Sequence, residues 1–250
     1  MFDWCLSGLD YLSCPAGVLA ESQRIAADVF GAAHTFYLIN GSTVGIHASI
    51  LATCPQGSVC LMARNCHIST YNGVKLSGTL DWFTRFFSVL STGCTPEYLV
   101  PEYDSKNGVC HGVTAKTVEQ GLRKCEKESI AVGCVFVVSP TYFGAVSDIR
   151  GAYLRFVIGI SGGRASGIAE VCHCFGVPLI VDAAHGAHFR FHHAFPEDPL
   201  SCGADIVIQS THKVLTSLTQ SSMLHMNSSL ISTESISKWL SILQVYSPFS

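Results

Sequence analysis

Lys213 is the residue with the most chemistry within reach. It sits in Gln209-Ser-Thr-His-Lys-Val214, just beyond the apolar run Asp205–Gln209. A lysine amine whose charge is depressed by burial or by a neighbouring cation forms Schiff bases with aldehydes. Ser210, Thr211 and His212 beside it are phosphate-binding residue types. A lysine past a strand end is also an ordinary surface residue, so the motif alone leaves both readings open. Asp182 closes a second apolar run, Leu179-Ile-Val-Asp-Ala-Ala-His-Gly-Ala-His188. A carboxylate there can hold a protonated pyridine nitrogen or cap the following turn.

Three further strand ends carry polar residues. In Asn40-Gly-Ser-Thr-Val-Gly45, Ser42 and Thr43 stand at the start of a helix, where hydroxyls, free N–H groups and the helix dipole make an anion site or a plain N-cap. In Arg64-Asn-Cys-His-Ile-Ser69, His67 can stack on a planar ring or serve structurally. In Ser139-Pro-Thr-Tyr-Phe-Gly144, Thr141 can reach a cofactor hydroxyl or shape a turn. Each bland alternative is reasonable singly. Phosphate donors, a stacking imidazole, an acid and a lysine all at strand ends are much less so together.

The elements that must position these residues follow from the hydrophobic pattern. Continuous apolar runs predict strands over 35–39, 58–62, 97–100, 133–138, 178–182, 205–209 and 222–226. Unbroken rather than alternating runs are the mark of a parallel sheet covered on both faces. Helical periodicity predicts helices over 18–30, 44–53, 68–76, 115–127, 168–175 and 236–244, so strands and helices alternate as in an open α/β sheet. Ligands in such sheets bind beyond the carboxyl ends of the strands, which is where the motifs fall. Two segments break the alternation: 80–94, rich in aromatics, and 152–167, which lengthens one crossover. Both read as insertions.

Composition narrows the function classes. The chain has 250 residues, 48 % of them hydrophobic and only 13 % charged, with a net charge of −3. Roughly 25 % charged is usual, so much of the surface is expected to lie against a partner. The charge balance offers no footprint for nucleic acid. No run reaches 18 apolar residues, so no membrane span is expected, and the first residues do not resemble a signal peptide. The twelve cysteines are scattered and are expected to be reduced thiols of an intracellular protein. His185, His188, His192, His193 and Cys172-His173-Cys174 are zinc-type ligands, but neither CxxC nor HExxH occurs, and no metal is expected.

At these motifs the sequence resembles the Orn/Lys/Arg decarboxylase family of pyridoxal-phosphate enzymes. The runs that carry the resemblance include FYLINGSTVGIHASI, RNCHISTYNGVKLSG, SPTYFGAVSDI, IAEVCHCFGVPLIVDAAHGAHFRFH and GADIVIQSTHKVLTSLTQSSMLHM, the last being highly specific. The resemblance implies a three-layer αβα domain with a mostly parallel central sheet, the aspartate aminotransferase-like large domain of fold type I. It implies pyridoxal 5′-phosphate bound covalently by Lys213, with Asp182 on the pyridine nitrogen, His67 on one ring face and Ala184 on the other. Ser42, Thr43, Ser210 and His212 would hold the phosphate, Thr141 would lie near the cofactor, and His185 would be a catalytic residue near the Schiff base. Family members commonly carry an acid where this chain has Ala183.

The implied reaction is decarboxylation of arginine, lysine or ornithine to its amine, as in polyamine biosynthesis. A homodimer or larger oligomer, with active sites at the subunit interface, is implied too. The chain reads as a single cofactor-binding domain over 1–250, incomplete at both ends and without the small C-terminal domain. The expected compartment is cytoplasmic, or organellar if a transit peptide preceded it. The alternative is a catalytically inactive homologue that keeps only the cofactor-binding core.

Overall fold

The computed structural model describes residues 10–77, 93–151 and 167–244. The segments 80–94 and 152–167 therefore lie outside the described residues, except for their last residues. In chain order the elements are α1 (Val18–Phe30), β1 (His34–Leu38), α2 (Gly41–Thr53), β2 (Val59–Ala63), α3 (Ile68–Leu76), β3 (Thr95–Leu99), β4 (Tyr103–Asp104), β5 (Val109–Cys110), α4 (Ala115–Lys127), β6 (Val132–Val138), α5 (Ile168–Cys174), β7 (Leu179–Asp182), β8 (Ile206–Gln209), α6 (Thr211–Val214), β9 (Ser222–Met226) and α7 (Thr233–Leu243). Seven strands form one sheet in the order β1-β9-β8-β7-β6-β2-β3. All its pairings are parallel except the two made by β9, which runs against both β1 and β8. β4 and β5 form a separate two-stranded ribbon, which the hydrophobic pattern did not predict.

The central strands are buried on both faces, as their unbroken apolar runs require. Every residue of β2, β7 and β8 is buried. Side chains alternate across a strand, and β2 shows what each face meets. Leu61 packs against Gly121 of α4, while its neighbour Cys60 faces the C-terminal end of α2 at Cys54. Thus α2 and α4 cover opposite faces. α3 and α7 pack with α2, and α5 packs with α4. Helix α4 shows the usual one-sided burial, Val118, Leu122 and Cys125, and its first turn is closed by Thr114, whose hydroxyl accepts the Thr117 N–H at 3.1 Å.

The chain on either side of 152–166 behaves as one helix with a break. Asp148 Oδ1 accepts the Gly151 N–H at 2.8 Å, the bond of an N-cap to its third helical residue. The Asp148 and Ile149 carbonyls then accept the N–H groups of Ile168 and Ala169, at 3.2 and 3.0 Å. Without residues 152–167, Ile168 would stand four positions after Asp148, and both bonds would be ordinary α-helical ones. Gly167 lies so close that a Cβ would fall 2.2 Å from the Arg150 carbonyl carbon, so only glycine fits. A variant lacking 152–167 is therefore expected to fold with a longer, capped α5. Holding together the ends of a segment of this length costs on the order of 2 kcal/mol. A Tm rise of roughly 4–8 °C is expected in a thermal melt; a lower Tm would contradict the insertion.

At the β1–β9 edge, register sets up a buried histidine. Thr35 lies opposite His225, the Thr35 hydroxyl is 2.8 Å from His225 Nδ1, and the ring stacks on Phe30 at 4.4 Å. Nε2 is buried without a partner. Desolvation, with a smaller push from Arg190, lowers the imidazole to about 3. The unfolded chain takes up this proton near pH 6.5 and the folded one does not, so stability is lost as pH falls below 6.5. Between pH 7 and pH 5 the loss is about 2 kcal/mol. Chemical denaturation at the two pH values should show this loss shrinking in His225→Gln.

Candidate functional site

Because β1, β2, β6, β7 and β8 all point the same way, the residues following them meet at one edge of the sheet. Asp182 is the last residue of β7, paired with Val138 of β6 and Ile208 of β8, and is 4 % exposed. Its Oδ1 accepts the Ala184 N–H at 3.1 Å, and Oδ2 has no hydrogen bond among the described residues. Burial raises its pKa, against the Ala184 N–H and the nearby positive charges of Lys213 and His67. A half-satisfied buried carboxylate beside a lysine and an imidazole is a site prepared for a positively charged or N–H-bearing partner.

Lys213 reaches the same place from α6, which starts directly after β8. Its Nζ lies 3.4 Å from His185 Nε2. Burial, then the charges of Lys213 and His67, lowers the His185 pKa, so its imidazole is neutral at pH 7 and able to accept a proton. His67 caps α3. Its Nδ1 accepts from the Ser69 N–H at 3.2 Å and lies 2.8 Å from Ser69 Oγ, so the ring is held by one nitrogen and left exposed otherwise. Ala184 is buried next to Asp182.

The residues expected at the phosphate gather around the start of α2. That helix begins at Gly41, three residues earlier than its apolar pattern suggested, so Ser42 and Thr43 lie in the first turn. Asn40 makes no side-chain cap, so the helix start keeps donors for an anion. The Gly41 N–H bonds to the Gln220 carbonyl, and the next carbonyl, of Ser221, accepts the His212 N–H and lies 2.7 Å from His212 Nδ1. These bonds tie α6 and the turn before β9 to the α2 start. Ser210 Oγ is fully buried with no hydrogen-bond partner among the described residues. An orphaned hydroxyl, an uncapped helix start and a fixed imidazole match the donor set a phosphate needs.

Thr141 is placed differently from the others. It is buried, and its hydroxyl accepts the Ala145 N–H at 3.1 Å, so it shapes the turn after β6. Its neighbours Tyr142 and Phe143, which sequence reasoning did not single out, are 82 % and 62 % exposed, and Tyr142 lies edge-on to His185 at 5.9 Å. They leave an aromatic rim open to solvent at the site. A cavity of about 830 Å³ opens nearby, between Tyr37, Ile39, Thr211, Leu218 and Ser221, but Asp182, His185 and Lys213 do not line it. The candidate site residues lie on the open edge instead.

Sheet order and the reversed β9 give the chain the α/β fold of the fold type I large domain. The profile of the family described as Orn/Lys/Arg decarboxylase, major domain, matches residues 3–250, and the chain belongs to that family. It is 33 % identical to an arginine decarboxylase of Bacillus subtilis (strain 168), over 94 % of this chain and 41 % of that one. It is 38 % identical to the uncharacterized protein YaaO of the same organism, over 97 % of this chain and 44 % of the relative. The constitutive lysine decarboxylase of E. coli superposes with a TM-score of 0.63 at 19 % identity, over 93 % of this chain and 29 % of that one. The chain thus spans less than half the length of these relatives. Among the described residues no helix is long and apolar enough to cross a membrane.

Proposed function

We propose that this chain is the cofactor-binding domain of a pyridoxal-phosphate decarboxylase acting on a basic L-amino acid: arginine, lysine or ornithine. The observation that carries the reading is the buried, half-satisfied carboxylate of Asp182 facing Lys213 and His67. Family membership supports the same chemistry. Pyridoxal phosphate, when bound, supplies an aldehyde that condenses with an amine and a ring that takes up the electron pair left as CO2 departs.

The chain's own residues would do the rest. Asp182 holds the proton on the pyridine nitrogen, where burial makes the charge pair strong. Lys213 would hold the aldehyde group. His67 stacks on one ring face and Ala184 packs against the other. Ser42, Thr43, Ser210 and His212 bind the phosphate, and Thr141 fixes the turn at the ring's edge. His185, neutral and 3.4 Å from Lys213 Nζ, takes or returns the proton at the reacting carbon, alone or with Lys213. The exposed rim of Tyr142 and Phe143 suits cover by a second copy of the chain, in a homodimer or larger assembly. Segments 80–94 and 152–167 are read as insertions into this domain.

The test is an amine and CO2 assay on the purified chain with pyridoxal phosphate and each of the three amino acids. Product from one of them is expected. Cofactor binding without product from any of the three would replace this reading with that of a cofactor-binding homologue without activity.

A further inference from the structure

The opposite edge of the sheet holds a second cluster of reactive side chains. Cys54 ends α2, Cys60 is the second residue of β2, and Cys134 is the third of β6. All three are buried, and their sulfurs lie within 4.8 Å of one another. Cys134 Sγ is 3.5 Å from that of Cys54 and 3.7 Å from that of Cys60. A fourth thiol, Cys94, is fully buried immediately before β3, outside the group of three sulfurs but beside it.

Two backbone features build this arrangement. The β2–β6 register slips at Val59/Cys60: Val59 pairs with Val132 but Cys60 with Cys134. Gly133 is passed over, and the slip sets the two cysteines side by side on adjacent parallel strands. Without it Cys60 would face Gly133, and the thiols would be out of step. Gly133 also lets the end of α2 come in, since a Cβ there would lie 2.7 Å from Cys54 Cα and 2.8 Å from Cys54 Sγ.

We propose that Cys54, Cys60 and Cys134, with Cys94 as the fourth ligand, bind a thiophilic divalent cation of the zinc class as a structural site. A tetrahedral zinc thiolate has Zn–S bonds of about 2.3 Å, hence S···S edges of about 3.8 Å. Two sulfur pairs already stand at 3.5 and 3.7 Å. Binding forms four metal–sulfur bonds and sends the thiol protons to solvent, with no change of oxidation state. The Thr53 hydroxyl lies 3.7 Å from Cys54 Sγ, within reach as an outer contact. A cavity of about 410 Å³ is lined by Thr53, Pro55, Ser58 and Gly133, chain neighbours of the cluster. The ion would tie α2, β2, β3 and β6 together at the end of the sheet away from Asp182 and Lys213. The site is independent of the decarboxylase reading.

The test is an anaerobic titration of the reduced chain with cobalt(II), followed by zinc. The expected result is about one equivalent of cobalt with intense thiolate-to-cobalt absorption. Zinc should abolish that absorption, and both Cys60→Val and Cys134→Val should lose it, while Cys172→Val keeps it. A measurement without variants guards against misfolding. Alkylation of the native zinc-loaded chain should spare Cys54, Cys60, Cys94 and Cys134, and chelation should expose them while leaving Cys66 and Cys172 unchanged. A folded chain that develops no thiolate–cobalt band overturns the proposal. So does a disulfide within the cluster with no metal uptake, or a band that survives in Cys60→Val and Cys134→Val.

Discussion

Replacing Lys213 with alanine is expected to abolish covalent cofactor capture. The purified chain with pyridoxal phosphate should show a visible band that disappears on reduction with borohydride, leaving the cofactor's mass on the peptide containing Lys213. Lys213→Ala should show neither. Its fold should be unaffected, because Lys213 is exposed and its one side-chain hydrogen bond among the described residues is with His185 at 3.4 Å. Lys213→Arg keeps the charge beside Asp182 but presents no nucleophilic amine, so it too should lose the band. Decarboxylation by the wild type, if present, should vanish in both. A Lys213→Ala protein that still carries a borohydride-trapped cofactor would place the covalent site elsewhere.

Asp182→Asn should have an effect of opposite sign with and without cofactor. The Asp182 pKa is raised in the folded chain, chiefly by desolvation. Its contribution to stability is therefore full at a pH below the unfolded carboxyl value and is lost as pH rises through the raised folded value. At pH 7 the cofactor-free chain buries a partly unpaired charge, and asparagine removes that cost while its amide oxygen can still accept the Ala184 N–H. The cofactor-free variant should thus be at least as stable as the wild type at pH 7, with the difference shrinking toward pH 4. With cofactor the order reverses, since the charge pair to the pyridine nitrogen is gone. Breaking a buried pair costs about 3–5 kcal/mol, which is roughly 150- to 5,000-fold in turnover. Thermal melts with and without pyridoxal phosphate at two pH values check the first part, and rate assays the second. If the variant behaves alike with and without cofactor, Asp182 does not meet the ring.

Legibility differed with the range of the contacts involved. Strand and helix positions were readable because burial on both faces demands unbroken apolar runs, and the expected bounds lie within three residues of those observed. The start of α2 was set too late because Gly41, Ser42 and Thr43 carry no apolar periodicity. The two-residue strands β4 and β5 are too short to make a pattern. The reversal of β9 was not legible either. A five-residue run reads the same in both directions, and only pairing with β1 and β8 fixes its sense.

At the candidate site, Lys213, Asp182, His67, Ser42 and Thr43 were picked out by their places at strand ends, because a parallel sheet brings such ends to one edge whatever the detailed packing. The sequence by itself thus determined the fold class and the family, since these depend on residue type and local periodicity. Among the described residues, which hydroxyl is left orphaned at Ser210 and that Asp182 keeps one oxygen unpaired depend on contacts between separate elements. The cysteines at 54, 60 and 134 form no motif, and the register slip at Gly133 is what sets Cys60 beside Cys134 in the cluster. The bonds from Asp148 and Ile149 to Ile168 and Ala169 likewise join residues 20 apart in the chain. Tertiary structure decided these because sheet register and chain closure are set by the packing of the whole domain, which no short stretch of sequence encodes.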